Sequence, residues 1–315
     1  MPNDNILITG ANGQIGSVLT DELRKHYGTD RVLATDIRIL TKADGPFEQL
    51  DILDQDRLSH LIKEYKITQI YHLAAILSAK GEQNPRRTWD LNMNGLFNVL
   101  ECARQLGIRK VFYPSSIAVF GPATPKVSVP QETVMDPSTV YGISKQAGEQ
   151  WCAYYYKRFG LDIRSLRYPG IIGYQSPPGG GTTDYAVDIF HYAVRKEPFE
   201  CFLQKDTGLP MIYMPDAIRA TLEVMEAPSE WISVRSSYNL SGMSFTPSQL
   251  VAAIRKHVPD FKVTYKPDFR QQIADSWSSS VDDRIARQDW SWKPEYDLKA
   301  MTADMLKHLG HLAVL

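Results

Sequence analysis

A chain of 315 residues with 43% hydrophobic content can bury a large core, which argues against disorder as its dominant state. The formal net charge of −1 and the lack of a long basic run argue against a nucleic-acid or anionic-membrane partner and leave a small ligand. No apolar stretch of about 18 residues occurs and no charged-then-apolar leader precedes the first strand, so a soluble, cytoplasmic protein is expected.

Ile6-Leu7-Ile8-Thr9 is an apolar, β-rich run that passes directly into Gly10-Ala11-Asn12-Gly13-Gln14-Ile15-Gly16 and an amphipathic segment, 18–27. The pattern predicts strand, tight loop and helix. In that setting Gly10 permits the turn, Gly13 lets backbone N–H groups approach a pyrophosphate, and Gly16 lets the helix lie close to the strand. Phosphates would sit on the helix N-terminus, where unpaired N–H groups and the macrodipole favour negative charge. A dinucleotide cradle also needs an acidic residue about 20 positions on. Asp36 supplies it after the strand-like run 31–35, where its carboxylate can accept both hydroxyls of an adenosine ribose and repel a 2′-phosphate. NAD is therefore favoured, with Arg38 leaving tolerance of NADP open.

Strands and helices continue to alternate. Residues 47–50 read as a strand before Asp51-Ile52, 55–65 as a helix, and 68–73 as a buried strand ending in Ala74-Ala75, against which a flat ligand can lie. Asn84-Pro85 opens a helix that Gly107 stops. The strand 110–116 ends in the hydroxyls of Ser115 and Ser116, the helix 140–158 stops at Gly160, and 162–168 is the next strand. These units predict an α/β fold, a Rossmann-type doubly wound parallel sheet with ligand groups at the carboxyl ends of its strands. From Pro169 the alternation breaks up. The Pro/Gly loop 176–183, a helix over 185–195 and the Trp-rich segment 276–292 suggest a smaller, discontinuous substrate lobe, while 211–227 and 237–240 return to the main sheet and its flank. The expected division is 1–169 plus about 211–242 for the NAD-binding domain, and about 170–210 plus 243–315 for the lobe.

Tyr141 and Lys145 stand one helical turn apart, so phenol and ammonium can face the same cleft. A nearby cation stabilises phenolate and lowers the tyrosine pKa. Tyr192 and Lys196 repeat the spacing late in a helix with no other site-like feature, so context decides: Tyr141 opens its helix shortly after Ser115-Ser116. His72 reads as a packed core residue, and Asp304, His308 and His311 as the face of a terminal helix rather than a metal site. Cys102, Cys152 and Cys201 have no metal-like or CxxC spacing and read as reduced packing residues.

Thr9-Gly10-x-x-Gly13-x-x-Gly16, Asp36, Asp51-Ile52, His72-Leu73-Ala74-Ala75, Asn92, Ser115-Ser116, Tyr141-x-x-x-Lys145 and Tyr168-Pro169-Gly170 resemble, in order and spacing, the extended short-chain dehydrogenase/reductase superfamily. Asp289-Trp290-x-Trp292-x-Pro294 looks like the end of that family, so the resemblance covers nearly the whole chain. It implies Tyr141 as acid/base, Lys145 as the group that lowers its pKa and holds the nicotinamide ribose, and Ser116 as hydrogen-bond partner of the reacting oxygen. It also implies an NAD site built from Gly10, Asn12, Gly13, Gln14, Ile15 and Gly16, then Asp36, Ile37, Arg38, Asp51 and Ile52. Leu73, Ala74, Ala75, Asn92 and Tyr168-Pro169 complete it.

Relatives of this architecture that act on nucleotide-linked sugars commonly carry an Arg-Asp pair ahead of a Phe-Ile-Tyr-Val segment. Here the text is Leu209-Pro210-Met211-Ile212-Tyr213-Met214, without the cation. Residues 168–172 and 179–186 are instead similar to short-chain-type L-threonine 3-dehydrogenases, whose loop roofs a small amino-acid site. Successive glycine N–H groups can form a nest for a carboxylate, Thr182 and Thr183 offer hydroxyls, and Asp184 can pair with an α-ammonium. The alternative for the same residues is a flexible hinge with a helix cap. Ser78 and Ser115 would lie beside the pocket, and Trp277 would close it. The implied reaction is NAD-dependent oxidation of the L-threonine 3-hydroxyl to 2-amino-3-oxobutanoate. Its rivals are a sugar-nucleotide epimerase or dehydratase and a non-catalytic NAD-sensing protein. Trp151, Tyr154, Tyr155 and Tyr156 make the Tyr141 helix aromatic all round, and relatives pair this helix and the Asn92 helix across a two-fold axis, so a homodimer is expected.

Overall fold

The computed structural model describes residues 4–39, 44–177 and 179–312, with side chains described as far as residue 310. Pro178 of the expected Pro/Gly loop and the side chain of His311 lie outside the described residues.

Strand β1 (Ile6–Thr9) sends alternate side chains to opposite faces. Ile6 and Ile8 join Leu19 and Leu23 of helix α1 (Gln14–Tyr27) in one core, while Leu7 enters the other. The chain continues through strands β2 (Val32–Asp36) and β3 (Phe47–Gln49), helix α2 (Gln55–Glu64), strand β4 (Gln69–His72) and the short helix α3 (Ser78–Gly81). Helix α4 (Pro85–Leu106), strand β5 (Lys110–Ser116), helix α5 (Val140–Phe159) and strand β6 (Asp162–Tyr168) complete the regular part. Capping sets the helix starts: Asp54, Asn84 and Thr139 accept from backbone N–H groups of α2, α4 and α5.

Beyond β6 come strand β7 (Gly170–Ile172), helix α6 (Tyr185–Arg195), strands β8 (Phe199–Cys201) and β9 (Leu209–Tyr213), and helix α7 (Met214–Glu226). Strands β10 (Tyr238–Asn239) and β11 (Met243–Phe245), helix α8 (Pro247–Arg255), strand β12 (Val263–Tyr265), and helices α9 (Phe269–Ser276), α10 (Arg284–Trp290) and α11 (Leu298–Leu312) follow. Seven strands form one parallel sheet in the order β10-β6-β5-β4-β1-β2-β3. Strand order reverses between β1 and β4, which places a crevice outside their carboxyl ends. Apolar residues of α2, α4 and α5 cover one face, and those of α1 and α7 the other. Cys102 and Cys152 are buried in the first of these cores, Cys201 in a third built around α6 and α8.

The later chain departs from the sequence expectation in two places. Residues 209–213 do not enter the main sheet: β9 lies between β7 and β11 in a small three-stranded sheet, and the chain rejoins the main sheet only at β10. The Trp-rich segment is also divided. Trp277 belongs to the α6 core, whereas Trp290 and Trp292 pack with Tyr238 against the edge of the main sheet. The Trp292 indole donates to Asp283 Oδ2 at 3.0 Å and to Ser241 O at 3.2 Å, which holds it there. Among the described residues no helix is long and apolar enough to cross a membrane.

Candidate active site

The loop between β1 and α1 passes so close to the next crossover that its glycines are sterically required. Gly10 has φ +71°, and a Cβ there would stand 2.8 Å from the Ala74 nitrogen. A Cβ on Gly16 would lie 2.2 Å from the Gly10 carbonyl oxygen. At the start of α1 no side chain caps the helix, and Asn12 Oδ1 and Gln14 Nε2 are buried with no hydrogen-bond partner. An uncapped N-terminus with the unpartnered Gln14 amide N–H beside it fits a bound pyrophosphate, whose oxygens accept hydrogen bonds.

Asp36 ends β2 beside this loop. Its Oδ2 accepts from Asn12 N and its Oδ1 from Arg38 N, both at 3.0 Å. Each oxygen keeps a lone pair for a ribose hydroxyl. The exposed Arg38 donates to Asn12 O at 3.1 Å and stands 3.6 Å from Asp36. Ile37 is exposed beside them, and Asp51 accepts from Leu53 N at 3.0 Å in a turn that leaves Ile52 buried over Gly95.

From the glycine loop a cleft runs along the strand ends. Gly10, Gly13, Gln14, Ile15, Gly16, Leu73 and Ala75 line it, together with Ser115, Ser116, Tyr141, Lys145, Tyr168 and Pro169. The segment before α6 contributes Thr182, Thr183 and Asp184, the end of α9 Trp277, and α3 Ser78. Asn12, Asp36, Ile37, Arg38, Asp51, Ile52, Ala74 and Asn92 are not in its wall. Asn92 instead braces it: its amide bonds Ile76 N and O at 2.9 and 3.2 Å and Ser144 Oγ at 3.1 Å, tying α4 to the chain after β4 and to α5.

Thr139 caps α5, so Tyr141 and Lys145 project from its first turns toward β5. Ser116 beside the Tyr141 phenol favours its ionised form, but burial outweighs that effect and pushes the phenol's pKa up to about 12. Burial pulls Lys145 down to about 7, against opposing effects of Cys152 and Glu149. Lys145 Nζ donates to Pro114 O at 2.6 Å and stands 5.6 Å from the centre of the Tyr141 ring. The expectation that the ammonium lowers the phenol's pKa is therefore not met in the free protein, because the cation is engaged by β5 and desolvation dominates. Tyr192 lacks such a setting: its ring packs on Phe199 and under Arg195, and Lys196 ends α6 in a left-handed conformation.

Two substrate-side residues are engaged by the chain itself. Ser115 lines the cleft, and its hydroxyl donates to Glu149 Oε1 at 2.5 Å. In the lobe loop, Asp184 Oδ2 accepts from Gly180 N at 2.7 Å and from Gly181 N at 2.8 Å. The glycine nest is filled by the chain's own carboxylate, and burial pushes the Asp184 pKa up despite those bonds. Thr182 Oγ1 pairs with Ser78 Oγ at 3.3 Å, while Thr183 packs over Gly170, where a Cβ would come within 2.7 Å of its Cγ2. The Tyr168 hydroxyl turns away from the cleft to Thr221.

His72 shares a hydrogen bond of 2.9 Å with Thr9 and is held neutral, burial pulling its pKa to about 3. His308 stands 3.5 Å from Asp304 and stacks on Tyr174. Among the described residues no group of three or more His, Cys, Asp or Glu is placed to hold a metal ion. The sequence reading missed the buried Glu149 and Arg167, which meet as an ion pair between α5 and the buried strand β6.

A family model for the NAD dependent epimerase/dehydratase family matches residues 6–241. An uncharacterized epimerase/dehydratase of Staphylococcus saprophyticus is 49% identical over 306 residues, 96% of this chain and 95% of its own. A GalE-like L-threonine dehydrogenase from Cupriavidus necator, in its holo form, superposes with TM-score 0.96 at 56% identity, over 97% of this chain and 99% of its own. A monomeric L-threonine 3-dehydrogenase from a metagenome, in its apo form, superposes with TM-score 0.95 at 48% identity, over 98% and 99% of the two chains.

Proposed function

The chain belongs to the NAD dependent epimerase/dehydratase family and is an NAD-dependent oxidoreductase, and from that premise we propose that it oxidises the 3-hydroxyl of L-threonine to 2-amino-3-oxobutanoate. The observation that supports this most directly is one cleft lined both by Ser116, Tyr141 and Lys145 and by the small polar set Ser78, Thr182 and Thr183. In this reading the Rossmann part holds NAD through the glycine loop, Asn12, Gln14 and Asp36, and the lobe roofs an amino acid. When bound, NAD⁺ supplies the acceptor for the hydride that leaves C3.

Tyr141 is the general base and Ser116 holds the substrate oxygen in line with it. With the phenol at about 12 and the amine at about 7, the phenolate–ammonium form is the minor one in the free protein. A hydroxyl seated against Ser116 and Tyr141 gives that form a proton to accept, and Lys145 keeps the charge balanced. Thr182 with Ser78 holds the amino-acid end. Asp184, already bound to its own loop, shapes the roof and reaches an α-ammonium only with its free Oδ1.

Incubation with NAD⁺ and L-threonine should generate NADH absorbance, whereas UDP-sugars should not. NADH or epimer formation with UDP-sugars alone would replace the threonine reading, and silence with both would favour an NAD sensor. We further propose a homodimer through α4 and α5, where Trp89, Trp151, Tyr154 and Phe159 are exposed. Size-exclusion with light scattering should give twice the 35.7 kDa chain mass. A single-chain mass at working concentration would place this protein with the monomeric relative instead.

A further inference from the structure

Glu149 lies one turn beyond Lys145 on α5 and is fully buried. It meets Arg167 of β6 in two hydrogen bonds, Nε to Oε1 at 2.9 Å and Nη2 to Oε2 at 2.7 Å. Arg167 also donates to Asn239 Oδ1 at 2.9 Å and to Gln131 O at 3.1 Å. Ser115 completes the arrangement by donating to Glu149 Oε1. One ion pair therefore joins α5 and the carboxyl ends of β5, β6 and β10. Its anchor points adjoin the cleft residues: Ser115 precedes Ser116, Arg167 precedes Tyr168, and Glu149 lies one helical turn after Lys145.

Stability does not account for such a pair, since apolar residues of similar volume commonly serve as well or better. Its position relative to Lys145 does. The groups facing that amine are Tyr141, Glu149 and Cys152 from α5, Tyr113 and the Pro114 carbonyl from β5, and His72 from β4. Burial keeps both tyrosines and the thiol protonated and the imidazole neutral near pH 7. Glu149 is then the one charged side chain of this group. Its partner Arg167 points on toward Asn239 and Gln131.

We infer that the Glu149–Arg167 pair is a positioning element for the reaction, fixing Ser116 through Ser115 and holding Lys145 beside Tyr141 as a cation. The inference rests on the dehydrogenase reading for its kinetic consequence, but not for its effect on Lys145 itself. The charge part is tested with Glu149→Gln combined with Arg167→Met, which removes both charges and keeps an acceptor for Ser115. NMR of the free protein with ¹³Cε-labelled lysine, assigned by Lys145→Met, should show Lys145 titrating at lower pH in the double variant. With L-threonine, the alkaline limb of the kcat profile, where Lys145 loses its proton, should move to lower pH with it. The geometric part is tested with Ser115→Ala, which should lower kcat about 10-fold or more with little change in KM.

An unchanged Lys145 titration in a folded double variant overturns the charge part. Should that variant fail to fold, Glu149→Gln combined with Arg167→Gln serves in its place: it also removes both charges while keeping hydrogen-bonding groups at both positions, and an unmoved Lys145 titration overturns the same claim. Ser115→Ala at wild-type kcat overturns the geometric part. If wild-type protein forms no NADH with L-threonine, the substrate reading fails by itself, and the lysine titration still decides the charge claim.

Discussion

Two glycine-rich turns deliver the chain into helices that border the cleft, and they use their backbone N–H groups in opposite ways. At residues 10–16 no side chain caps the helix start, so its backbone N–H groups stay available to an anion. At residues 179–184 the exposed N–H groups close on Asp184, and the turn is complete by itself. Both match a generic anion nest as text. The difference is one acidic side chain three or four residues downstream, which turns a binding concavity into a self-closed roof.

The largest expected effect comes where the two turns face a common centre. Tyr141→Phe should lower kcat about 100- to 10,000-fold while leaving NAD affinity, measured by fluorescence titration, nearly unchanged. A near-normal rate would remove Tyr141 as the base. Next comes the contrast between the turns themselves. Gly16→Ala, with its Cβ forced onto the Gly10 carbonyl, should weaken NAD binding by at least about tenfold, roughly 1.4 kcal/mol. Gly179→Ala meets only a flexible Leu77 methyl at 3.3 Å and should not change it. Equal losses in the two variants would erase the distinction.

Within the lobe, Thr182→Val leaves Ser78 without its partner and should raise KM for L-threonine by roughly 1–2 kcal/mol, about 5- to 30-fold, with a smaller change in kcat. The smallest effect concerns Asp184. Its folded pKa is raised, so its contribution to stability is fully present below the unfolded carboxylate value and fades as pH rises through the raised one. Wild type should therefore lose ground relative to Asp184→Asn as pH climbs from the acid side through that range, by about 0.5–1.5 kcal/mol in melting experiments. A stability difference that does not vary with pH would show that the nest is indifferent to the charge.

Much of the fold was legible because local rules and the tertiary structure agree. The unbroken apolar run Ile6-Leu7-Ile8, the caps at Asn84 and Thr139, and the stops at Gly107 and Gly160 each specify an element without help from distant residues. The cleft centre was legible for a related reason, since Tyr141, Lys145 and Ser116 lie at element ends that a parallel sheet must bring together. What stayed hidden depends on partners far along the chain. Trp290 and Trp292 look like lobe residues until Asp283 and Ser241 fix the indole beside β10. Glu149 draws no notice in the sequence until Arg167, 18 residues later, meets it in the core. The pKa balance of Tyr141 and Lys145 follows from depth of burial, which spacing along a helix does not encode.

The fate of the thiols has a practical corollary. Cys102, Cys152 and Cys201 are all enclosed, and burial pushes each thiol above its ordinary pKa, so none offers thiolate to reagents in solution. The native protein is accordingly a blank background for maleimide chemistry. A single cysteine introduced beside the cleft would be the one labelled position, ready for a fluorophore that reports ligand binding there.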